Sequence, residues 1–226
     1  MKKSNIIIIA FAAFVVISTL IFYIDGKKNE GKSKFSNADY KTIQLTEFSV
    51  VVAGQNADIH ILQSDSNKLR VAFSKESPLG KSLYKIANDT LHLYQGNTLY
   101  AYGNNIRSII AQKRANISIE KITSDTLKIN LTGSYLYLNY HGKEKYLLKQ
   151  VELQAQDSAE VNISGNISIE KFVCYSNNST IGLFQGKFRS IEADLKNNSQ
   201  LQFLSSSEGT NNLQIKKDST CNINMN

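Results

Sequence analysis

The sequence predicts an all-β protein: a right-handed parallel β-helix with about 20 residues per coil, preceded by one N-terminal transmembrane helix. Three observations in Val151–Asn226 support the β-helix. Apolar residues recur twenty residues apart, they alternate with polar residues inside each repeat, and a polar corner separates the runs. Two-residue alternation is the period of a strand, and recurrence at a fixed span is typical of a solenoid. The right hand follows from the crossover rule for parallel strands.

Four rows of apolar residues define the predicted interior. The rows are Val161, Ile181, Leu201 and Cys221; Ile163, Leu183, Phe203 and Ile223; Leu153, Val173, Ala193 and Leu213; and Ala155, Tyr175, Leu195 and Ile215. One coil cannot bury its apolar face alone, so stacked coils bury these rows together. Each strand then pairs in parallel with the same strand one coil later.

The polar corners are expected to stack as well. The repeat places Asn178 against Asn198, and Ser179 against Ser199 and Ser219. Asparagine tolerates the left-handed backbone that a sharp corner needs, and stacked amides can form hydrogen bonds from coil to coil.

The repeat continues less regularly towards the amino terminus. Strands begin near Tyr40, and Ile117 lies nineteen residues before Leu136. The step from Leu136 to Val161 is twenty-five residues, so we expect an insertion at a corner over His141–Tyr146.

The two cysteines are not expected to form a disulfide. Cys221 falls in an inward row, whereas Cys174 falls in the alternate row with Gln154, Asp194 and Gln214, which is predicted to face outward. Side chains on opposite sides of a strand wall cannot reach disulfide geometry.

The amino terminus predicts a membrane anchor. Ile6–Ile24 is an apolar run interrupted only by Ser18 and Thr19, and as a helix it would span about 28 Å. The alternative is a cleaved signal peptide, but Phe22–Gly26 lacks a small-residue cleavage pattern. We therefore expect an uncleaved signal anchor.

The domain plan follows from this anchor. It comprises a cytoplasmic tail over residues 1–5, the anchor over 6–24, a flexible linker over 25–39 and the β-helix over 40–226. Lys2 and Lys3 favour a cytoplasmic amino terminus, although Lys27 and Lys28 oppose them. We expect a single-pass protein of the inner (cytoplasmic) membrane with its soluble domain outside the cytoplasm.

Charge and composition argue against nucleic acid as a partner. Of the formal net charge of +7, residues 1–36 carry +4, because six lysines there face only Asp25 and Glu30. The other 190 residues carry +3, which is too dilute for a nucleic-acid-binding surface.

No catalytic constellation is evident, so we expect a protein that is not an enzyme and needs no cofactor or metal. His60, His92 and His141 lack the spacing of metal ligands. A polysaccharide-active enzyme is the least favoured alternative, because such an enzyme needs clustered acids and bases and the four arginines are scattered.

The tyrosines are the candidate contact residues for a ligand or partner. Tyr94, Tyr135 and Tyr137 alternate with inward leucines and so face outward; Tyr100, Tyr102 and Tyr140 lie close to them in sequence. Exposed rings on a strand wall could stack on sugar rings or seat an envelope protein. The alternative is that tyrosine simply favours strands.

Four segments resemble the opening of a known family. Phe48–Gly54, Ala57–Ile61, Lys68–Phe73 and Asn88–Leu93, followed by late coils with polar corners, resemble the auto-transporter adhesin head GIN domain family. The resemblance covers about residues 40–224. It implies a β-helix at the bacterial cell envelope and supplies no catalytic residues.

The sequence therefore predicts a membrane-anchored, non-catalytic binding or adhesion module. Its expected partners are the cytoplasmic membrane, through Ile6–Ile24, and a glycan or an envelope protein. The alternative is a structural envelope scaffold that assembles end to end, since an uncovered solenoid end is an unpaired strand edge.

Overall fold

The protein is all-β throughout the residues that the computed structural model describes, which are 39–73, 83–94, 98–122, 124–140, 146–204 and 210–225. The strands in these ranges are β1 (Asp39–Gln44), β2 (Val50–Ala53), β3 (Asp58–Gln63), β4 (Lys68–Phe73), β5 (Tyr84–Ala87), β6 (Thr90–Leu93), β7 (Leu99–Gly103), β8 (Ser108–Gln112), β9 (Asn116–Lys121), β10 (Thr126–Thr132), β11 (Tyr135–Tyr140), β12 (Tyr146–Gln156), β13 (Glu160–Gly165), β14 (Ile167–Asn177), β15 (Thr180–Phe184), β16 (Lys187–Lys196), β17 (Gln200–Leu204), β18 (Asn212–Lys217) and β19 (Asn222–Met225).

Two sheets form the walls of a β-solenoid. Sheet A has the order β1-β4-β7-β3-β9-β11-β13-β15-β17-β19, and sheet B has the order β18-β16-β14-β12-β10-β8-β2-β6-β5. From the β8–β9 pair to the β18–β19 pair, each coil gives one parallel strand to each sheet, which makes about five turns. The handedness of these turns stays a prediction.

The predicted stacking in sheet A is confirmed as far as β17. Ile181 pairs with Val161 on one side and with Leu201 on the other, as the twenty-residue rows require. Leu136 pairs with Ile117 and with Val161, so the nineteen-residue and twenty-five-residue steps are confirmed too. All five side chains are buried.

Both inward rows of sheet B were predicted wrongly at β14, and again at β18, where Ala193 pairs with Ile215 and Leu213 pairs with Ile191. Leu153 pairs with Cys174, and Cys174 pairs with Ala193, so Val173 and Tyr175 face outward and Cys174 faces the interior.

The cause at β14 is a compensated shift. The corner between β14 and β15 is one residue shorter than the corner between β12 and β13. The path from Ile163 to Ile169, before this corner, is one residue longer than the equivalent path from Leu183 to Phe188. A one-residue slip sends every side chain of a strand to the other face.

The shift of β14 also changes the position of one cysteine. Cys174 and Cys221 are both buried and both are free thiols, so the predicted outward position of Cys174 was wrong. Burial raises the pKa of the Cys174 thiol to about 12, which keeps it protonated and unreactive.

The last coil also differs from the prediction. Leu201 pairs with Ile223 and Phe203 pairs with Met225, two residues beyond the expected partners. Cys221 is buried, but it lies beside Ser199, in the place predicted for Ser219, because the last coil is two residues longer.

The corners use left-handed backbone as expected. Asn178, Asn197 and Asn198 have φ of 51°, 52° and 62°. The Ser179 amide donates to the Ser199 hydroxyl at 3.4 Å, which confirms that these serines stack. The amide bridge between coils joins Asn197 Nδ2 to Asn177 Oδ1 at 2.8 Å, rather than joining Asn178 to Asn198.

The first coils do not stack in chain order. β2 lies between β6 and β8, and β3 lies between β7 and β9. Strands β4 and β5 pair antiparallel with β7 and β6 at the far end. The strand order of these coils was not predicted.

The predicted anchor at Ile6–Ile24 and the corner residues 141–145 lie outside the described residues, as do all but the last residue of the predicted linker. Tyr146, the last residue of that predicted corner, instead begins β12 and is buried. Within the described ranges, no helix is long and apolar enough to span a membrane.

The last corner is stabilised by the Asp218 carboxylate. It accepts hydrogen bonds from the Asn197 amide at 2.8 Å and from the Thr220 amide and hydroxyl at 2.9 and 2.6 Å. These hydrogen bonds, that of the Thr220 hydroxyl first, lower the pKa of Asp218 below its ordinary value of 3.8.

A lowered pKa in the folded state means that Asp218 stabilises the fold fully above its unfolded pKa and loses that effect as the pH falls below it. We expect Asp218→Asn to lower the free energy of unfolding at neutral pH. The difference from the unsubstituted protein should shrink as the pH falls from about 5 to about 2.5. Urea unfolding across that range measures it, and a difference that stays constant would contradict the account.

Candidate binding groove on sheet A

A groove runs along the outer face of β9, between β3 and β11. It has a volume of about 520 Å³. It is lined by Leu62, Gln63, Ser118, Glu120, Lys121, Asn139 and Tyr140.

The register of three strands creates this groove. Ser118 on β9 pairs with His60 on β3 and with Tyr137 on β11. Serine is much smaller than the two rings beside it, so the middle strand forms a floor between the outer strands; His60 and Tyr137 flank this floor at the edge of the groove and do not line its volume. Neighbouring strands lie about 4.8 Å apart, so Cα atoms of the two outer strands are roughly 10 Å apart.

Hydrogen bonds fix the upstream end of the floor. Asp58 accepts from Asn116 Nδ2 and from Thr98 Oγ1, each at 3.0 Å. These bonds tie β3 to β9 and to Thr98, the residue before β7. The floor is therefore held in place before any ligand binds.

A bulge in β9 shapes the downstream end. Ile61 pairs with Ile119 but Leu62 pairs with Lys121, so Glu120 is an extra residue. Bulges bend a strand and redirect its side chains. Here both Glu120 and Lys121 line the groove, which gives this end one group of each charge.

Tyr146 packs against Tyr140 at the downstream end of the groove. The two rings meet edge to face with centroids 5.3 Å apart. Ile122 N–H donates to the Tyr146 hydroxyl at 2.7 Å, and that hydroxyl donates to the Ile122 carbonyl. Burial raises the pKa of Tyr146, which keeps it a neutral hydrogen-bonding group. The Asn139 Oδ1 atom, next to Tyr140 in β11, is buried and has no hydrogen-bond partner among the described residues.

The structure places five of the six predicted tyrosines along this face of sheet A. Tyr135 and Tyr137 point outward from β11 with 42% and 39% of their surface exposed, as predicted. Tyr140 is half-buried at the end of the same strand.

Tyr100 and Tyr102 belong to an aromatic and cationic cluster on β7. Tyr100 stacks on His60 with ring centroids 4.8 Å apart, and Tyr40 meets Tyr100 edge to face at 5.8 Å. Lys68 Nζ lies 4.7 Å from the centre of the Tyr102 ring. This cluster supports the His60 wall, and its member Tyr40 was not among the predicted contact residues.

Tyr94 is the exception. It follows β6 in sheet B, so it is exposed on a different wall and does not join the other five.

The sequence prediction also missed Tyr175 as a contact residue. It placed Tyr175 in an inward row, but Tyr175 is the most exposed tyrosine of the described residues, at 54%. Alternation along β14 gave no signal for this, because apolar residues occupy both faces of the strand at this point.

The groove and the strands that border it combine aromatic rings with amide, hydroxyl and single charged groups. His60 stacks against Tyr100, and the described ranges hold no cluster of three or more histidine, cysteine or acidic side chains that could bind a metal ion. Rings and scattered polar groups of this kind orient a ligand by stacking and hydrogen bonding.

No family model matches the chain, and no curated protein matches it either. Several solved structures do. A "putative adhesin" from Bacteroides fragilis NCTC 9343 is 15% identical with a TM-score of 0.53, and one from Parabacteroides merdae ATCC 43184 is 12% identical with a TM-score of 0.54. A third, from Parabacteroides distasonis ATCC 8503, is 10% identical with a TM-score of 0.51.

The chain shares its fold with these adhesin-named proteins. Each alignment covers 84% of this chain and 97% of the other. At 10 to 15% identity the likeness shows the fold alone.

Proposed function

We propose that the protein is a non-catalytic binding module that holds a glycan chain in the groove over β9. The observation that carries the proposal is the pair of exposed rings, Tyr135 and Tyr137, on the strand that borders the groove and next to the polar Asn116 and Ser118 of β9. An aromatic ring offers a flat apolar surface to the C–H face of a sugar, while amides and hydroxyls bind sugar hydroxyl groups. The solved structures named adhesins support the same class of function.

The cell envelope is the proposed location. The apolar run Ile6–Ile24 supports a single-pass signal anchor in the inner membrane, with the β-helix outside the cytoplasm. The resemblance to the auto-transporter adhesin head GIN domain family supports this location and a right-handed β-helix. Protease treatment of intact spheroplasts tests the orientation. A β-helix fully protected from the protease would show that the orientation is the opposite one.

Replacing both rings tests the groove. We expect Tyr135→Ser with Tyr137→Ser to weaken retention of the full-length, detergent-solubilised protein on purified cell-wall glycan by about tenfold or more, because two stacking surfaces are lost. The matched control is Tyr94→Ser, which removes an equally exposed ring from the other wall. If the unsubstituted protein, the double variant and Tyr94→Ser are retained equally, the proposal is wrong.

A second candidate is a scaffold that assembles end to end. Leu213 and Met225, on the last strand pair, are 43% and 58% exposed, and among the described residues no strand covers β18 or β19. Exposed edges of this kind favour association. Sedimentation of the full-length protein over a range of concentrations tests it, and a strict monomer contradicts it.

A further inference from the structure

The outer face of sheet B carries a second surface, centred on Tyr175 and independent of the groove over β9. Tyr175 lies on β14 between Gln154 on β12 and Asp194 on β16. It is exposed over 54% of its surface, more than Tyr135 or Tyr137.

Two clefts meet at this ring. One, of about 420 Å³, extends towards the start of β14 past Val173 and Lys171, and the other, of about 220 Å³, extends towards Asn177. Tyr175 lines both. A strand advances about 3.3 Å per residue, so the path from Val173 to Asn177 is roughly 13 Å long. A ligand that fills both clefts must therefore be an extended chain that passes over the ring.

The formal charges of the residues that line the two clefts sum to zero. Three cations and three anions line them, in the pairs Lys128 with Glu152 at 3.4 Å, Lys171 with Glu192 at 3.0 Å, and Lys196 with Asp194 at 3.8 Å. Each pair is at least partly exposed to solvent and contributes little to stability. Their effect here is a formally neutral surface that offers many hydrogen-bonding groups and attracts neither a polyanion nor a polycation.

We propose that this surface binds an uncharged oligosaccharide lying along β14, with one sugar ring stacked on Tyr175. The ring supplies an apolar plane for the sugar C–H groups. The amides of Gln154 and Gln156, which line the clefts beside it, bind the hydroxyl groups of the adjoining sugar units. With the groove on sheet A, the solenoid then contacts glycan through both walls.

The test titrates the full-length protein with an uncharged β-linked glucose hexasaccharide and with the corresponding disaccharide. We expect the hexasaccharide to bind more tightly than the disaccharide, because only the longer chain occupies both clefts. Tyr175→Ser should weaken hexasaccharide binding by about tenfold, whereas Tyr175→Phe, which keeps the ring, should change it less than about threefold. Raising the salt concentration from about 0.05 M to about 0.5 M should leave the affinity unchanged within about twofold.

Two control variants separate this proposal from the groove on sheet A. Tyr94→Ser should leave hexasaccharide binding unchanged, and the tenfold effect of Tyr175→Ser should persist in a protein whose Tyr135 and Tyr137 are already replaced by serine. Equal binding by the Tyr175→Ser variant overturns the proposal, as does an absence of hexasaccharide binding at about 10 mM, where even a Kd in the millimolar range is detected. Either result leaves the cell-wall assay of the sheet A groove unaffected, so the two proposals fail separately.

Discussion

Replacing Ile181 with alanine is expected to lower the free energy of unfolding by about 2–5 kcal/mol. Ile181 is 0% exposed and sits between Val161 and Leu201 in a row that continues through the stacked coils. Truncation removes buried methyl groups and leaves a cavity that the neighbouring coils, held by their own strand pairing, cannot fully close.

Urea unfolding followed by circular dichroism measures the loss. The matched control is Gln202→Ala on the outer face of the same sheet, next to the coil of Ile181, which should change the free energy of unfolding by less than about 0.5 kcal/mol. A loss below about 1 kcal/mol for Ile181→Ala would show that this row is not a packed interior.

Replacing Gly165 with alanine should be comparably severe, with a loss of about 3 kcal/mol or more. Gly165 has φ of +91°, and a Cβ atom there would lie 2.1 Å from the Tyr140 carbonyl oxygen. That carbonyl also accepts a hydrogen bond from the Asn166 amide at 2.9 Å. The backbone of β11 must move to admit the methyl group, and it carries one wall of the groove over β9.

Gly133→Ala is the matched comparison for this substitution. Gly133 has φ of +53°, which alanine adopts at a cost of about 1–2 kcal/mol, and its Cβ would lie 3.3 Å from the nearest backbone atom. The midpoint temperature of thermal unfolding should therefore be much lower for the Gly165→Ala variant than for Gly133→Ala. Equal losses would mean that the close approach to Tyr140 is not a constraint.

The sheet A rows were predictable because their corners preserve the spacing. Val161, Ile181 and Leu201 remain twenty residues apart, so the sequence repeat and the structural repeat coincide. In sheet B the longer path before β14 and the shorter corner after it cancel, so the repeat stays near twenty residues. The strand β14 itself is nevertheless shifted by one residue. Because Val173 and Tyr175 are as apolar as Phe172 and Cys174, alternation alone could not reveal that shift.

The site was predictable only in part, for a different reason. The outward direction of Tyr135 and Tyr137 follows from the local alternation with Leu136 and Leu138. The groove itself depends on β3 lying beside β9, and no repeat spacing links Asp58–Gln63 to Asn116–Lys121. Pairing between distant segments is a property of the whole fold, so the composition of either strand does not show it.

The adjacency of β3, β9 and β11 is the claim on which the proposed groove depends, and a cysteine crosslink tests it most directly. His60→Cys combined with Ser118→Cys places two thiols on neighbouring strands, about 4.8 Å apart at Cα, within the range of a disulfide. The native cysteines are buried and should not compete. Under mild oxidation, peptide mapping should find the 60–118 crosslink, whereas His60→Cys with Tyr137→Cys, two strands apart, should stay reduced. A crosslink between positions 60 and 137 with none between 60 and 118 would contradict the groove.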